Sequence, residues 1–366
     1  MNTVITARVC ASQERLAATG GLLWRNGRIA RGDRRVVCGI TGSDPPASLA
    51  GRTRGCTDLT GSELSIAADL IAVLVAVTGG EPLVLTVAHD RALPSGAFES
   101  GHRSLQSGLR AWVERRTHHP LGYVEQLYTF ADRDRTEAGA RVISISYLGL
   151  TRQVRAAERD ARWQGWYRYF PWEDHRAGTP SVHPQVIAPR LAAWARAAPT
   201  PTVSRERRQR AATVFGLDEH GWNEELVLQR YELLYEAGLV PEASRRGDPP
   251  CASPLPGEPM LHDHRRILAT GIARLRAKIK YRPVVFELMP PSFTLLQLQQ
   301  CVEALAGRRM HKQNFRRLIE QQELVEETGQ IATETGGRPA KLFRFRRAIQ
   351  QERAFAGTKL PVTRAT

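Results

Sequence analysis

The stretch that decides the C-terminal fold covers residues 293–347 and reads FTLLQLQQCVEALAGRRMHKQNFRRLIEQQELVEETGQIATETGGRPAKLFRFRR. Near its start, Thr294 precedes Gln297 by three positions, which is the spacing of a capping box at a helix N-terminus. Leucine and valine then recur at helical spacing as far as Gly307, a residue type that commonly ends helices. After a short basic turn, the pattern predicts a second helix from His311 to about Gln322.

The second predicted helix has one apolar face and one basic, amide-bearing face. We expect Phe315, Leu318 and Ile319 to be buried. Two strand-like runs follow, Leu324 to Glu327 and Leu342 to Arg346, joined by a loop that is rich in glycine and cations. The order helix, turn, helix and basic hairpin describes a winged helix-turn-helix.

This layout points to a double-stranded DNA partner, because a helix that enters the major groove needs long hydrogen-bond donors in its N-terminal half. The second helix and the hairpin loop supply the candidate DNA-binding residues Lys312, Gln313, Asn314, Arg316, Arg317, Arg338 and Lys341. The alternative is an ordinary solvated helix face, with Asn314 as a local cap. The basic hairpin beside the helix favours DNA binding.

Composition limits the class of protein. A chain of 366 residues is long enough for two or three domains, and its formal charge of +15 implies a polyanionic partner or an acidic membrane surface. From Glu258 onward there are about twenty Lys and Arg against about ten Asp and Glu. The five cysteines have no Cys-x-x-Cys spacing, which argues against a zinc site and fits a reducing compartment. We predict a cytoplasmic protein with no metal site and no cofactor. No apolar run reaches membrane-spanning length.

Pattern and composition divide the chain into five segments. We predict disorder for 1–62, an α/β effector domain for 63–180, a helical connector and linker for 181–257, a long helix plus winged helix-turn-helix for 258–350, and a tail for 351–366. The long helix, Leu261 to Tyr281, shows a basic side with Arg265, Arg266, Arg274 and Lys278 that suits DNA phosphates.

We also make predictions for an aromatic segment and for the histidines near it and near the long helix. The aromatic segment from Trp163 to Asp174 is expected to pack between domains or subunits, with a ligand site as the alternative. His175 is expected to be a hydrogen-bonded surface residue. A metal site at His262, Asp263 and His264 is disfavoured, because adjacent helical positions point to different sides.

Residues 65–150 give the order strand, strand, glycine-containing loop, helix, strand, strand, a mixed α/β layout. This order resembles the Nudix fold, whose loop-and-helix motif carries glutamates that hold magnesium against a diphosphate. The sequence departs from that motif, because Ala111 stands where the first glutamate is expected and Arg115 replaces an acidic neighbour of Glu114. One carboxylate holds a hard divalent ion poorly, so we expect no hydrolytic activity.

With HKQNFRRLI and GGRPAKLFRF in the C-terminal part, and GYVEQLYTFADRDR and RVISISYLGL before it, residues 65–350 resemble the NrtR-type Nudix-related transcriptional regulators. The resemblance implies a Nudix-like domain that senses a small molecule such as ADP-ribose, a winged helix that binds an operator, and repression of operons often concerned with NAD or sugar metabolism. Since helix-turn-helix proteins usually bind paired half-sites, a homodimer is expected.

We expect a diphosphate pocket without catalysis in the Nudix-like part. Its candidate ligand-binding residues are Ser95, Gly96, Arg110, Glu114, Tyr128 and Phe130. Their ordinary roles stay open, namely an i,i+4 pair between Arg110 and Glu114 and aromatic side chains that fill the core. Three functions remain: a ligand-responsive repressor, an active pyrophosphatase with an attached DNA-binding module, and a constitutive DNA-binding protein whose α/β part only dimerises.

Overall fold

The computed structural model describes residues 66–98, 103–117, 121–131, 141–152, 161–246, 253–281, 284–332 and 339–346, all within one compact unit. The segments 1–62 and 351–366, for which disorder and a tail are predicted, lie outside the described residues. So do Arg338 and the glycines of the predicted hairpin loop.

The first part of the described chain is a mixed α/β domain. Its elements are β1 (Ile66–Thr78), β2 (Glu81–Thr86), β3 (Ser95–Ala97), α1 (Leu105–Thr117), β4 (Tyr123–Phe130), β5 (Arg141–Leu150) and β6 (Arg162–Gly165). Gly79 and Gly80 both have positive φ, 60° and 76°, which the tight two-residue turn between β1 and β2 requires. The two strands predicted on either side of this turn are confirmed.

The sheet has the strand order β4-β5-β1-β2-β6, and β3 also pairs with β1. The central strands β1 and β5 run parallel, whereas the other pairings are antiparallel. Leu70, Ala72 and Leu74 of β1 face α1, while Val73 and Val75 belong to the core on the other face. Burial on both faces explains why the sequence of β1 is an almost continuous apolar run.

A helical part follows the sheet. It contains α2 (Ala188–Arg196), α3 (Pro201–Phe215), α4 (Val227–Glu236) and the long α5 (His264–Tyr281). Helix α5 lies directly on the sheet at Gly271, where an added Cβ would stand 2.9 Å from Cγ1 of Val73. In the segment expected to be a linker, Glu242 and Leu255 are buried, and Glu242 accepts hydrogen bonds from the Met260 amide and from Arg265.

The C-terminal elements are α6 (Leu295–Ala306), α7 (Lys312–Gln321), β7 (Val325–Ala332) and β8 (Ala340–Phe345). β7 and β8 form an antiparallel hairpin, and the amide and carbonyl of Phe293 pair with those of Phe343 in β8. This is the arrangement of a winged helix, and β7 with β8 is called the wing below. The predicted fold class is confirmed as a mixed-sheet α/β domain followed by a helical segment and a winged helix-turn-helix.

Candidate nucleic-acid interface

The capping box predicted for α6 is present. The Thr294 hydroxyl accepts a hydrogen bond from the Gln297 amide at 3.2 Å, and the Gln297 side chain accepts one from the Thr294 amide at 2.8 Å. At the other end, Gly307 has a left-handed φ of 72°. Both termini of α6 are therefore fixed by the residues that the sequence pattern selects.

A buried carboxylate holds the turn between α6 and α7. Glu303 accepts hydrogen bonds from the Met310 amide at 2.8 Å, from Gln299 at 2.9 Å and from Arg309 at 3.1 Å. Burial by itself would raise the pKa of Glu303, but these donors hold it below its ordinary value. The carboxylate stays ionised at neutral pH, and α7 begins at a defined angle to α6.

Helix α7 presents a polar face to solvent. Phe315 and Ile319 are buried against the winged helix core. Its exposed donors are Lys312, Gln313, Asn314, Arg316 and Arg317. Within the described residues, none of these five side chains has a hydrogen-bond or ion-pair partner, so their donors are available to another molecule. The predicted burial of Leu318 is wrong, since 48% of this residue is exposed at the edge of a cavity of about 320 Å³ under α7.

The wing is basic along β8 but acidic along β7. Lys341, which was predicted to contact DNA, binds Glu327 at 2.8 Å, and Arg344 binds Glu326 at 2.7 Å. Arg346 binds Glu323, which precedes β7, at 2.9 Å. All three pairs are on the protein surface, where ion pairs stabilise the fold little and exchange partners readily.

A buried charge cluster joins the winged helix to the rest of the protein. The Arg230 guanidinium binds both carboxylate oxygens of Glu173, at 2.5 and 2.9 Å, and Arg276 of α5 binds the same carboxylate at 2.6 Å. Arg276 also donates to the carbonyls of Leu305 in α6, at 2.9 Å, and of Glu224, at 3.0 Å. One guanidinium therefore connects α6 with the segment after the sheet and with the helical part.

The end of α6 fits closely against this cluster. A Cβ on Gly307 would stand 2.5 Å from the Glu173 carbonyl oxygen and 2.7 Å from Arg276. The Gly307 carbonyl accepts from the His175 amide at 2.7 Å, and the Tyr167 hydroxyl donates to the Ala304 carbonyl at 2.6 Å. Burial would raise the pKa of Glu173, but its two arginine partners hold it below the ordinary range, so the cluster is ionised.

The prediction that α5 offers a basic face to DNA is wrong. Arg265 is fully buried and donates to the Tyr169 carbonyl, while Arg266 pairs with Glu232 and Lys278 with Glu125. These partners lie far away in sequence, so the charge pattern of the helix alone does not reveal them. Arg274 is exposed.

The sequence prediction did not single out Arg276, although the residue spacing in α5 indicates that this arginine is buried. Leu268, Ile272 and Arg276 follow one another at four-residue intervals, so Arg276 lies on the apolar stripe of the helix. An arginine in that stripe requires a buried acidic partner. Glu173 supplies it from 103 positions away.

The aromatic run after β6 is buried, as expected for packing between domains. Trp166, Tyr169, Phe170 and Trp172 belong to the core cluster that also contains residues of α5 and α6. The expectation for His175 is wrong, because its ring stacks on Trp222 at 3.9 Å. Within the described part of the chain, Nε2 of this ring is buried without a hydrogen-bond partner.

Three candidate ligand-binding residues of the sheet domain, Arg110, Ser95 and Gly96, already contact other parts of the protein. The guanidinium of Arg110 donates to the carbonyls of Leu121 and Gly122 before β4, so it does not form the alternative pair with Glu114. Ser95 and Gly96 lie in β3, and the Trp112 ring covers Gly96.

The two aromatic candidates differ from each other. Phe130 is buried, whereas Tyr128 is 59% exposed, and the two ring centroids lie 5.0 Å apart at an interplanar angle of 62°. Glu114 is exposed on α1. Tyr128 is therefore accessible to a ligand, as stacking on a base requires, whereas Phe130 is not.

The described residues show neither a metal-binding cluster nor a membrane-spanning helix. No group of three or more His, Cys, Asp or Glu side chains is placed to hold a metal ion. None of the described helices combines the length and apolar character that a bilayer span needs.

Residues 285–345 match the family of NrtR DNA-binding winged helix domains. This part of the chain is an NrtR-type winged helix domain. A curated relative, the ADPR responsive transcriptional repressor NtrR of Acinetobacter baylyi, is 42% identical over 83 residues. The match spans 23% of this chain and only a third (33%) of that relative. The resemblance to NrtR-type regulators that the sequence indicated is thereby confirmed for the winged helix part of the chain.

Two solved structures are similar to the chain over most of their length. One is the Shewanella oneidensis NrtR complexed with a 27mer DNA, with 20% identity, a TM-score of 0.48, and coverage of 78% of this chain and 95% of that one. The other is a MutT/nudix family protein from Enterococcus faecalis, with 15% identity, a TM-score of 0.46, and coverage of 79% and 90%.

Proposed function

We propose that this chain is a transcriptional repressor that binds duplex DNA through its NrtR-type winged helix and is released by a nucleotide-type metabolite such as ADP-ribose. The observation that carries the DNA-binding part is the solvent face of α7. This face contains Lys312, Gln313, Asn314, Arg316 and Arg317, all exposed and without partners among the described residues. Amide and guanidinium groups on a helix in the major groove contact base edges, and the ammonium group contacts phosphates.

The effector part of the proposal rests on the sheet domain and on the relative whose name describes an ADPR response. An exposed Tyr128 can stack on an adenine, as aromatic side chains do in nucleotide sites. Ser95, Gly96, Arg110 and Glu114 remain predicted contributors to the same pocket. Since Arg110 donates to two backbone carbonyls, it serves a diphosphate only with its remaining donors.

Binding without hydrolysis follows from the composition of α1. Glu114 is the only carboxylate in that helix, and Ala111 and Arg115 occupy positions where the Nudix motif has glutamates. Magnesium requires several oxygen ligands at one place, and a neighbouring guanidinium repels it. We therefore propose a sensor and not a pyrophosphatase.

The experiment that tests the proposed function is a gel shift with a duplex from the region upstream of the protein's own operon, with and without ADP-ribose. We expect a shifted band that ADP-ribose abolishes, and a complex that contains two copies of the chain on paired half-sites. A shift that no nucleotide changes would support a constitutive DNA-binding protein. Magnesium-dependent turnover of ADP-ribose would support the pyrophosphatase, and the absence of any shift would contradict DNA binding.

A further inference from the structure

The cations of the wing differ from those of α7 in one respect: each cation described in the wing already has a carboxylate partner. Nζ of Lys341 lies 2.8 and 3.0 Å from the two carboxylate oxygens of Glu327. Nε of Arg344 lies 2.7 Å from Glu326. Directly after β8, a guanidinium nitrogen of Arg346 lies 2.9 Å from the Glu323 carboxylate. Among the described residues of α7, Lys312, Arg316 and Arg317 have no such partner.

The three carboxylates come from one short run of sequence. Glu326 stands directly opposite Arg344 in the register of the hairpin, and Glu323 and Glu327 lie within four residues of it. The paired side chains all have contact with solvent, with exposed fractions from 37% for Glu326 to 70% for Glu323. Burial therefore does not explain this pairing, and the paired carboxylates are accessible to a polyanion that approaches the wing.

The pairing changes what the wing can offer to DNA. A phosphate that approaches Lys341 or Arg344 also approaches a carboxylate, and like charges at that distance repel. Neutralising phosphates with unpaired cations releases counterions and produces the salt-dependent affinity for any duplex sequence. A wing whose cations are already paired contributes little to that sequence-independent attraction.

We propose that Glu323, Glu326 and Glu327 act as specificity-determining residues that suppress binding to non-operator DNA. The unpaired cations of α7 supply the initial attraction. The wing exchanges its carboxylates for phosphates only when base contacts from α7 hold the duplex close to it. This inference rests on the proposed DNA-binding function and concerns the discrimination between sequences.

The test measures the affinity of the full-length chain for a fluorescently labelled duplex of mixed, non-operator sequence at several salt concentrations. The variant carries Glu323→Gln, Glu326→Gln and Glu327→Gln together. Its matched control carries Glu206→Gln, Asp218→Asn and Glu219→Gln, which remove the same charge from exposed positions of α3 and the turn that follows it. Thermal unfolding confirms that both triple variants are folded.

We expect the wing variant to bind the non-operator duplex about tenfold more tightly than the control at low salt, with a log–log salt slope steeper by about one to three. Equal affinities and slopes for the two variants would overturn the inference, because net charge alone would then account for the change. A wild-type chain that binds no duplex at low salt would instead overturn the proposed function.

Discussion

Replacing Arg276 by methionine removes the side chain that joins the winged helix to the rest of the protein. The guanidinium makes five hydrogen bonds, to the Glu173 carboxylate and carbonyl, the Leu305 and Glu224 carbonyls and the Tyr167 hydroxyl. Methionine has a similar apolar volume, but its side chain donates no hydrogen bond to any of these acceptors. Among the described residues, the Glu173 carboxylate, which is 1% exposed, then keeps Arg230 as its ion-pair partner.

The expected cost follows from these contacts. Removing one partner from a buried ion pair costs about 3–5 kcal/mol, and each lost hydrogen bond to a charged donor about 1.5–3 kcal/mol, although these contributions overlap. Since Glu173 retains Arg230, we expect Arg276→Met to lower the free energy of unfolding by about 4 kcal/mol. Arg276→Lys keeps the charge but loses the planar guanidinium group, so it should destabilise the protein less than Arg276→Met does.

Urea unfolding followed by tryptophan fluorescence measures this loss through the midpoint and the slope. The matched control is Arg210→Met, which removes an arginine from the surface pair with Glu236, where 51% and 43% of the two side chains are exposed. That change should cost less than about 1 kcal/mol. If Arg276→Met and Arg210→Met destabilised the protein equally, the buried cluster would not fix the winged helix in the way described.

Two further predictions concern the same region. Burial and the neighbouring His183 lower the pKa of His175 to about 4. In the unfolded chain His175 has a pKa near 6.5, so between about pH 6.5 and pH 4 it is protonated when unfolded and neutral when folded. The free energy of unfolding should therefore fall as the pH decreases through this range. Unfolding midpoints measured across that range should depend less on pH in His175→Phe; an unchanged dependence would exclude His175 as the source. Gly307→Ala should cost about 2–4 kcal/mol, because it combines a left-handed φ with the Glu173 clash. Gly238→Ala, with φ of 69° but open space around it, should cost only about 1 kcal/mol in the same urea assay, and equal costs would refute the clash.

Local patterns predict the winged helix well. Thr294 and Gln297 form the expected capping box, Gly307 ends α6, and Phe315 and Ile319 are buried. These features depend on residues within a few positions of one another, and helical spacing and capping rules are local.

Features that depend on distant partners were not predictable in the same way. The parallel pairing of β1 with β5 joins residues about 75 positions apart. Helical spacing alone places Arg265 on a solvated face. In the structure it is buried and donates to Glu242 and to the Tyr169 carbonyl. Charged residues are usually exposed, so a buried arginine can be inferred only from its place in an apolar stripe.

The candidate DNA surface could be predicted only in part. The exposed face of α7 follows from its amphipathic spacing, whereas the cross-strand pairs of the wing depend on the register of β7 and β8. A one-residue change of register would place Glu326 on the other face of the hairpin. The sequence therefore indicates that the wing is basic but not that its cations are paired.

The most direct test of the account is the salt dependence of operator binding when two cations are removed from α7. Arg316→Ala with Arg317→Ala should weaken binding at least about tenfold and lower the log–log salt slope by about two, because each phosphate contact contributes about 0.9. The charge-matched control, Arg196→Ala with Arg205→Ala, removes two exposed arginines from α2 and α3 and should leave the slope almost unchanged. If both double variants kept the wild-type affinity and slope, α7 would not be the surface that contacts DNA.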